Sequence, residues 1–276
     1  MLMPPMSDVP TAAAWTLAWC WAIRGTRSAT YAGLAGIAAS AAIVMRPNLA
    51  PLAAALAWTL TPVGRRPPVP WLRNLVAFAA GVLPAALTIA VINRRLYGSP
   101  FMSGYGDLGP LFALGNVWPN LGAYARWLVE TETPLILAGL AVAVTPLARL
   151  WPGPRPHRVV SGTGLFALGL CAMYLPYLQF HEWTFLRLLL PIFPLLMLGV
   201  ALVLGRLARL TGPFGRRAVV WLVLALGMHR VDIARQRGAF NEFRADRDFI
   251  GAAQQVRAHS DEQSVVSSLI HSGSLR

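Results

Sequence analysis

The chain has 276 residues, of which 56% are hydrophobic and only 13% are charged. A soluble domain usually carries charge on about a quarter of its residues, so this composition excludes an ordinary water-soluble fold. The net charge of +13 would suggest nucleic acid in a soluble protein, but half of the arginines lie in short loops between apolar runs. Membrane orientation explains arginines in such loops, and we expect no nucleic-acid partner.

The connections between the apolar runs alternate in charge. Every second connection carries arginine and no acidic residue, namely residues 24–27, 63–73, 149–158 and 206–217. The other connections and the two ends hold all of the Asp and Glu residues. Short basic loops stay in the cytoplasm during membrane insertion. The pattern therefore predicts a multi-pass protein of the bacterial inner (plasma) membrane, with its polar loops and C-terminal tail on the extracytoplasmic side.

The apolar runs predict about eight membrane spans. The run 29–61 is long enough for two passes and is interrupted by Arg46-Pro47-Asn48. Proline cannot continue a helical hydrogen-bond ladder and Asn favours turns, so we expect a helical hairpin with Arg46 at its tip. The other predicted spans are 9–23, 74–92, 134–148, 159–179, 188–205 and 218–228. The fold class expected is an all-α integral membrane protein, a polytopic helical bundle.

The chain changes character after Met228. Residues 240–256 have the periodicity of an amphipathic helix, and residues 264–270 (SVVSSLI) are typical of a short strand. One helix and one strand cannot bury a core of their own. We therefore expect a transmembrane domain over 1–229, and over 230–276 only the beginning of a small extracytoplasmic α/β domain.

Two candidate site residues flank the first spans at their outer ends. Asp8 is suited to capping the first helix or to orienting a substrate. Arg46 has no acidic residue nearby in the sequence. It is suited to binding a lipid phosphate, because guanidinium binds phosphate in a bidentate manner, or to reaching the membrane interface by snorkelling.

Two outer loops supply the remaining candidates. Tyr105 and Asp107 lie among glycines, which permit the close backbone approach that substrate loops often need. Glu182 and Arg187 either pair with each other or frame a polar substrate. We expect no metal and no cofactor, since neither loop has the spacing of a metal motif and Cys20 and Cys171 lie apart in apolar runs.

Several of these short motifs resemble those of bacterial GT-C-type membrane glycosyltransferases, specifically the group similar to dolichyl-phosphate-mannose–protein mannosyltransferases. The resemblance covers nearly the whole chain, through MSDVP at 6–10, RPN at 46–48, YGSPF and GYG within 97–106, and WTFLR at 183–187 ahead of Pro191.

The resemblance implies transfer of a sugar from a polyprenyl-phosphate carrier to a glycan, lipid or protein acceptor at the extracytoplasmic face, usually with inversion. A carboxylate then takes the acceptor proton and basic residues stabilise the departing phosphate. Arg46 matches the basic role best, with Arg187 or Arg94 as alternatives, and Asp8 and Asp107 match substrate-orienting roles.

The chain departs from the family pattern at its start. Such enzymes carry their principal catalytic acid in the first outer loop, and the expected counterpart lies upstream of Met1. The expectation is therefore a fragment that is inactive alone. A lipid-linked substrate transporter or flippase is the alternative, in which Arg46 would bind a headgroup during translocation and be accessible from both faces. A non-catalytic membrane scaffold is the third possibility, and it would tolerate replacement of Arg46 and Asp107.

Overall fold

The computed structural model describes residues 7–61, 70–102, 109–144, 156–237 and 242–260. These residues form an all-α structure, in which the only β pairing described is an isolated antiparallel bridge between Phe112 and Tyr177. The α-helices are α1 (Asp8–Gly25), α2 (Ala29–Met45), α3 (Ala53–Leu60), α4 (Pro70–Tyr97), α5 (Val117–Glu132), α6 (Ile136–Val144), α7 (Pro156–Tyr174), α8 (Phe193–Leu210), α9 (Gly212–Gln236) and α10 (Glu242–His259). Short 3-10 helices cover Pro47–Leu52, Gly109–Leu111, Leu114–Asn116 and Trp183–Ile192.

Helices α1 and α2 form an antiparallel hairpin that is closed by the basic turn between them. Gly25 is buried where α1 ends, and a Cβ placed on it would come within 2.9 Å of the backbone of Ala32 on α2. A larger residue at this position would push the two helices apart. The glycine therefore sets the close approach at the turn end of the hairpin.

The second reversal occurs at Arg46, as the sequence predicted. Arg46 has φ −141° and ψ 87°, because the residue before a proline is disfavoured in the α region. The chain then continues through the 3-10 helix Pro47–Leu52 into α3. The Leu60 side chain at the end of α3 returns to Gly25, so this segment runs back beside the first hairpin.

Glycine contacts join two further pairs of helices. Gly36 on α2 lies against Gly81 on α4, and Gly139 on α6 lies against Gly199 on α8. Small residues of this kind let helix backbones approach closely, a common means of helix association in membranes where apolar surface alone gives little driving force.

The centre of the bundle is aromatic. Phe166 on α7 is fully buried and meets Trp15 and Trp19 of α1 edge-on, with ring centroids 5.3 and 5.8 Å apart. Gly162, one turn earlier on α7, faces Thr59 of α3. Helix α7 thereby packs against both α1 and α3. Its last residue, Tyr174, is hydrogen-bonded to Asn48, two residues after Arg46.

Within the described ranges, two helical stretches are long and apolar enough to cross a membrane, Trp71–Tyr97 and Trp183–Leu210. Only 17% of the apolar window in Trp71–Tyr97 is buried, and 39% of the window in Trp183–Leu210. The core helix of a soluble protein would be mostly buried. The predicted count of eight spans stays a prediction.

Helix α5 lies between the predicted spans 74–92 and 134–148, in a stretch for which we expected an outer loop. The chain divides into two compact units, Met1–Arg216 and Arg217–Arg276. Within the second unit, α10 covers most of the predicted amphipathic segment 240–256. The predicted strand at 264–270 lies outside the described residues, and the predicted α/β tail therefore stays a prediction.

Candidate functional site

Asp8 and Arg46 meet at the end of the bundle opposite the basic α1–α2 turn. The Nη2 atom of Arg46 lies 2.6 Å from Oδ1 of Asp8. Only 7% of the Asp8 side chain and 17% of the Arg46 side chain are exposed. Two residues that are far apart in the sequence thus form one largely buried ion pair.

Local structure places each partner. Asp8 is in the first turn of α1, where the positive end of the helix dipole favours a carboxylate. Ser7 occupies the N-cap position but makes no side-chain capping hydrogen bond. The Asp8 carboxylate is directed to Arg46, whose backbone is held outside the helix by Pro47. In the folded hairpin Asp8 is therefore the counterion of Arg46, in addition to lying in the first turn of α1.

The pair leaves part of the guanidinium group unused. Nη1 of Arg46 is buried and has no hydrogen-bond partner within the described part of the chain. A guanidinium carries five N–H donors in a planar fork, and a buried donor left unsatisfied costs about 1–3 kcal/mol. An anionic oxygen at Nη1 would remove that cost.

A second polar pair lies beside this one and was missed from the sequence. Nδ2 of Asn48 donates a hydrogen bond to the hydroxyl of Tyr174, the last residue of α7, over 2.8 Å. The sequence predicts only a turn-forming role for Asn48. Tyr174 ends an apolar run and gave no local signal, so only the packing of α7 shows its position. A ligand at Arg46 would lie near a tyrosine hydroxyl and an amide.

Aromatic side chains continue outward from Tyr174. Its ring meets that of Tyr177 edge-on at 6.4 Å, and Tyr177 in turn contacts Phe180 at 5.8 Å. Phe180 is stacked on Phe185 with the centroids 3.6 Å apart. The guanidinium carbon of Arg187 lies 5.3 Å from the centre of the Phe185 ring. Arg187 is therefore positioned by aromatic contact.

The other candidate residues from the sequence are not part of the Asp8–Arg46 pair. Glu182 is exposed and accepts a hydrogen bond of 3.3 Å from the Thr184 hydroxyl. Arg94 is exposed in the last turn of α4. Tyr105 and Asp107 lie outside the described residues. The structure thus brings Asp8 and Arg46 together and shows Glu182 in a local hydrogen bond.

Tyr124 on α5 is a buried residue near Tyr174, the last residue of α7. Burial, together with the neighbouring Tyr174, raises the pKa of the Tyr124 phenol to about 12. The phenol is consequently neutral at physiological pH and acts as a packed aromatic group.

Within the described residues there is no group of three or more His, Cys, Asp or Glu side chains able to hold a metal ion. Comparison of the sequence and structure with protein-family models, curated proteins and solved structures finds no match to this chain.

Proposed function

We propose that this chain is the membrane region of a GT-C-like glycosyltransferase, which binds a polyprenyl-phosphate-linked sugar at the extracytoplasmic face of a bacterial plasma membrane. The observation that carries the proposal is the buried Asp8–Arg46 pair with its unused Nη1 donor. The motif resemblance drawn from the sequence gives the donor class.

The membrane part of the proposal is supported by where the apolar surface lies. On α4, Val76, Leu83 and Leu87 are each more than half exposed, although the helix is apolar along most of its length. Contiguous exposed apolar surface of this extent is rare on soluble monomers. In a membrane these apolar side chains would contact lipid instead of water. The predicted eight passes would place the shorter helices in the same bilayer.

The proposed orientation is supported by the charges at the two ends of the first hairpin. Arg24 and Arg27 lie at the α1–α2 turn, and Asp8 and Arg46 lie at the opposite end. Because basic turns remain cytoplasmic, the ion pair belongs to the extracytoplasmic end. A lipid-linked donor in the outer leaflet would present its phosphate at that depth.

Arg46 has the role of binding the donor phosphate. When the acceptor hydroxyl attacks the anomeric carbon, its proton passes to the carboxylate base that the resemblance implies. The bond from that carbon to the phosphate oxygen breaks, and negative charge grows on the departing polyprenyl phosphate. Nη1 of Arg46 is the buried donor for that charge, while the Asp8 carboxylate lies against Nη2 as the counterion of the guanidinium group. Removing one such donor commonly costs about 10²–10³-fold in rate in other enzymes.

The test is direct binding of undecaprenyl phosphate to the purified full chain in lipid nanodiscs, followed by native mass spectrometry. Arg46→Gln and Arg46→Lys should each weaken binding by about tenfold or more, since a charge-assisted hydrogen bond contributes about 1.5–3 kcal/mol. Lysine keeps the charge opposite Asp8 but lacks the second arm of the fork.

The matched control is Arg126→Gln, which removes an exposed arginine of α5 that is 3.8 Å from Glu130. It should leave the affinity unchanged. Equal binding of undecaprenol, which lacks the phosphate, would contradict the proposal, and so would unchanged affinity in both Arg46 variants.

A further inference from the structure

Helix α5 has one face fixed to the end of the bundle. Its buried side chains are Asn120, Tyr124 and Trp127, spaced as one helical face. Asn120 donates from Nδ2 to the backbone carbonyls of Leu175 and Tyr177, over 2.9 and 2.8 Å. Two hydrogen bonds from one buried amide fix the rotation of α5 about its own axis.

The segment just before α5 is fixed to the same stretch. The backbone N–H of Ala113 donates to the carbonyl of Pro176 over 2.8 Å, and Phe112 forms a β bridge with Tyr177. Nε2 of Gln179 donates to Oδ1 of Asn116 over 2.9 Å. The outward face of α5 is therefore held in place by contacts on its other side.

That outward face is apolar in its first half and charged in its second half. Leu114, just before the helix, is 85% exposed, and Trp118 is 78% exposed. Leu121 follows one turn later and is also exposed. Arg126 and Glu130 are exposed further along and lie within 3.8 Å of each other. Such a division is typical of a helix that meets a bilayer obliquely, since Trp is favoured at headgroup depth.

The depth of α5 follows from what it is attached to. Leu175 and Tyr177 come directly after Tyr174, whose hydroxyl accepts the hydrogen bond from Asn48. This is the end of the bundle that holds the Asp8–Arg46 pair. With the bundle in a bilayer, the surface continuous with that end is the boundary between headgroups and acyl chains.

We propose that the first half of α5 inserts into the bilayer at the Asp8–Arg46 end, with Leu114, Trp118 and Leu121 among the acyl chains close to the phospholipid headgroups. The polar half, with Arg126 and Glu130, faces water. The occupant of the exposed apolar face is lipid. This inference rests on the membrane location in the proposed function and not on sugar transfer.

The experiment uses the full chain in vesicles of phosphatidylcholine and phosphatidylglycerol. After replacement of Cys20 and Cys171, single cysteines carry a nitroxide spin label in the variants Trp118→Cys, Leu121→Cys and Arg126→Cys. Relaxation by oxygen, which concentrates in lipid, is compared with relaxation by a water-soluble nickel complex. The ratio of oxygen to nickel accessibility should be several-fold higher at positions 118 and 121 than at 126.

A label at Leu83→Cys, on the exposed face of α4, distinguishes failure of the inference about α5 from failure of the proposed membrane location. Lipid exposure at 83 together with water exposure at 118 and 121 would overturn the inference and leave the membrane location standing. Water exposure at all these positions would overturn both. Protection of 118 and 121 from both agents would overturn the inference in favour of a protein partner on this face.

Discussion

Nη2 of Arg46 and Oδ1 of Asp8 lie 2.6 Å apart at the buried end of the first helical hairpin. The pair links the first turn of α1 to the break after α2, so it fixes where the hairpin ends. Its formation depends on Pro47, which stops α2 and leaves Arg46 outside the helix.

Removing either partner of this pair should destabilise the protein strongly. Asp8→Asn leaves Arg46 charged and buried without its counterion, a change that typically costs about 3–5 kcal/mol. Arg46→Gln strands Asp8 in the same way. The double variant should lose much less than the sum of the two single variants, because neither charge is then left alone. Thermal unfolding in detergent micelles measures all three.

The three variants form a double-mutant cycle. Its control is the same set of substitutions at the exposed pair of Arg126 and Glu130 on α5. Its double variant should change stability by about 1 kcal/mol or less, since exposed ion pairs contribute little. Additive losses at Asp8 and Arg46 would show that the two charges do not interact in the protein.

The contact between α2 and α4 should be intolerant of a single methyl group. A Cβ on Gly36 would meet the carbonyl oxygen of Phe78 and come within 2.9 Å of the Gly81 Cα, so Gly36→Ala must separate the two backbones. Overpacking of this kind typically costs about 1–3 kcal/mol. Gly33→Ala is the matched control on the same helix, because its Cβ would lie 3.7 Å from the Ala77 carbonyl oxygen.

The measurement is the unfolding temperature of both variants in detergent. Gly36→Ala should lower it clearly, whereas Gly33→Ala should leave it unchanged or slightly raised, since alanine is the better helix former. Equal effects from the two substitutions would contradict the close approach of α2 and α4 at Gly36.

The parts of the fold that the sequence predicts are those with a local cause. The helix break before Pro47 follows from the missing N–H of proline, and the apolar runs follow from composition. The pairing of Asp8 with Arg46 needs the hairpin to close, so the sequence could offer each residue only separately. The contact of Asn48 with Tyr174 depends on the position of α7 and has no local signature.

Helix α5 is an element that the local sequence does not predict. Pro119, Asn120 and Gly122 in its first turns are typical of a loop, and local propensity alone favours one. The helix forms because Asn120 is used in tertiary hydrogen bonds and because Tyr124 and Trp127 are buried. Tertiary contacts thus outweigh an unfavourable local sequence.

Replacing Asn120 should release the first half of α5 from the bundle. Asn120→Ala leaves the partly buried carbonyls of Leu175 and Tyr177 without two hydrogen bonds, and each such bond contributes about 0.5–1.5 kcal/mol. Hydrogen exchange should become faster in residues 117–132 while exchange in α2 stays unchanged. Gln179→Ala removes one exposed hydrogen bond to Asn116 and should have a much smaller effect. Unchanged exchange in the Asn120 variant would mean that other contacts hold α5.

Stability should fall in alkaline solution through Tyr124. Burial raises the pKa of this phenol from 10.0 to about 12, so the folded protein holds the proton more tightly than the unfolded chain. The stabilisation from this group is complete below pH 10. It is lost as the pH rises towards 12, by about 1.4 kcal/mol for each pH unit over that interval.

The variant Tyr124→Phe lacks the titrating hydroxyl and isolates this contribution from the other tyrosines. Between pH 10 and 12 the free energy of unfolding of the wild type should decrease relative to that of the variant, and below pH 9 the difference between them should stay constant. Denaturant unfolding at several alkaline pH values measures it, with phenolate absorbance as an independent record of ionisation. A difference that stays constant to pH 12 would show that Tyr124 ionises alike in both states and would contradict the raised pKa of its phenol.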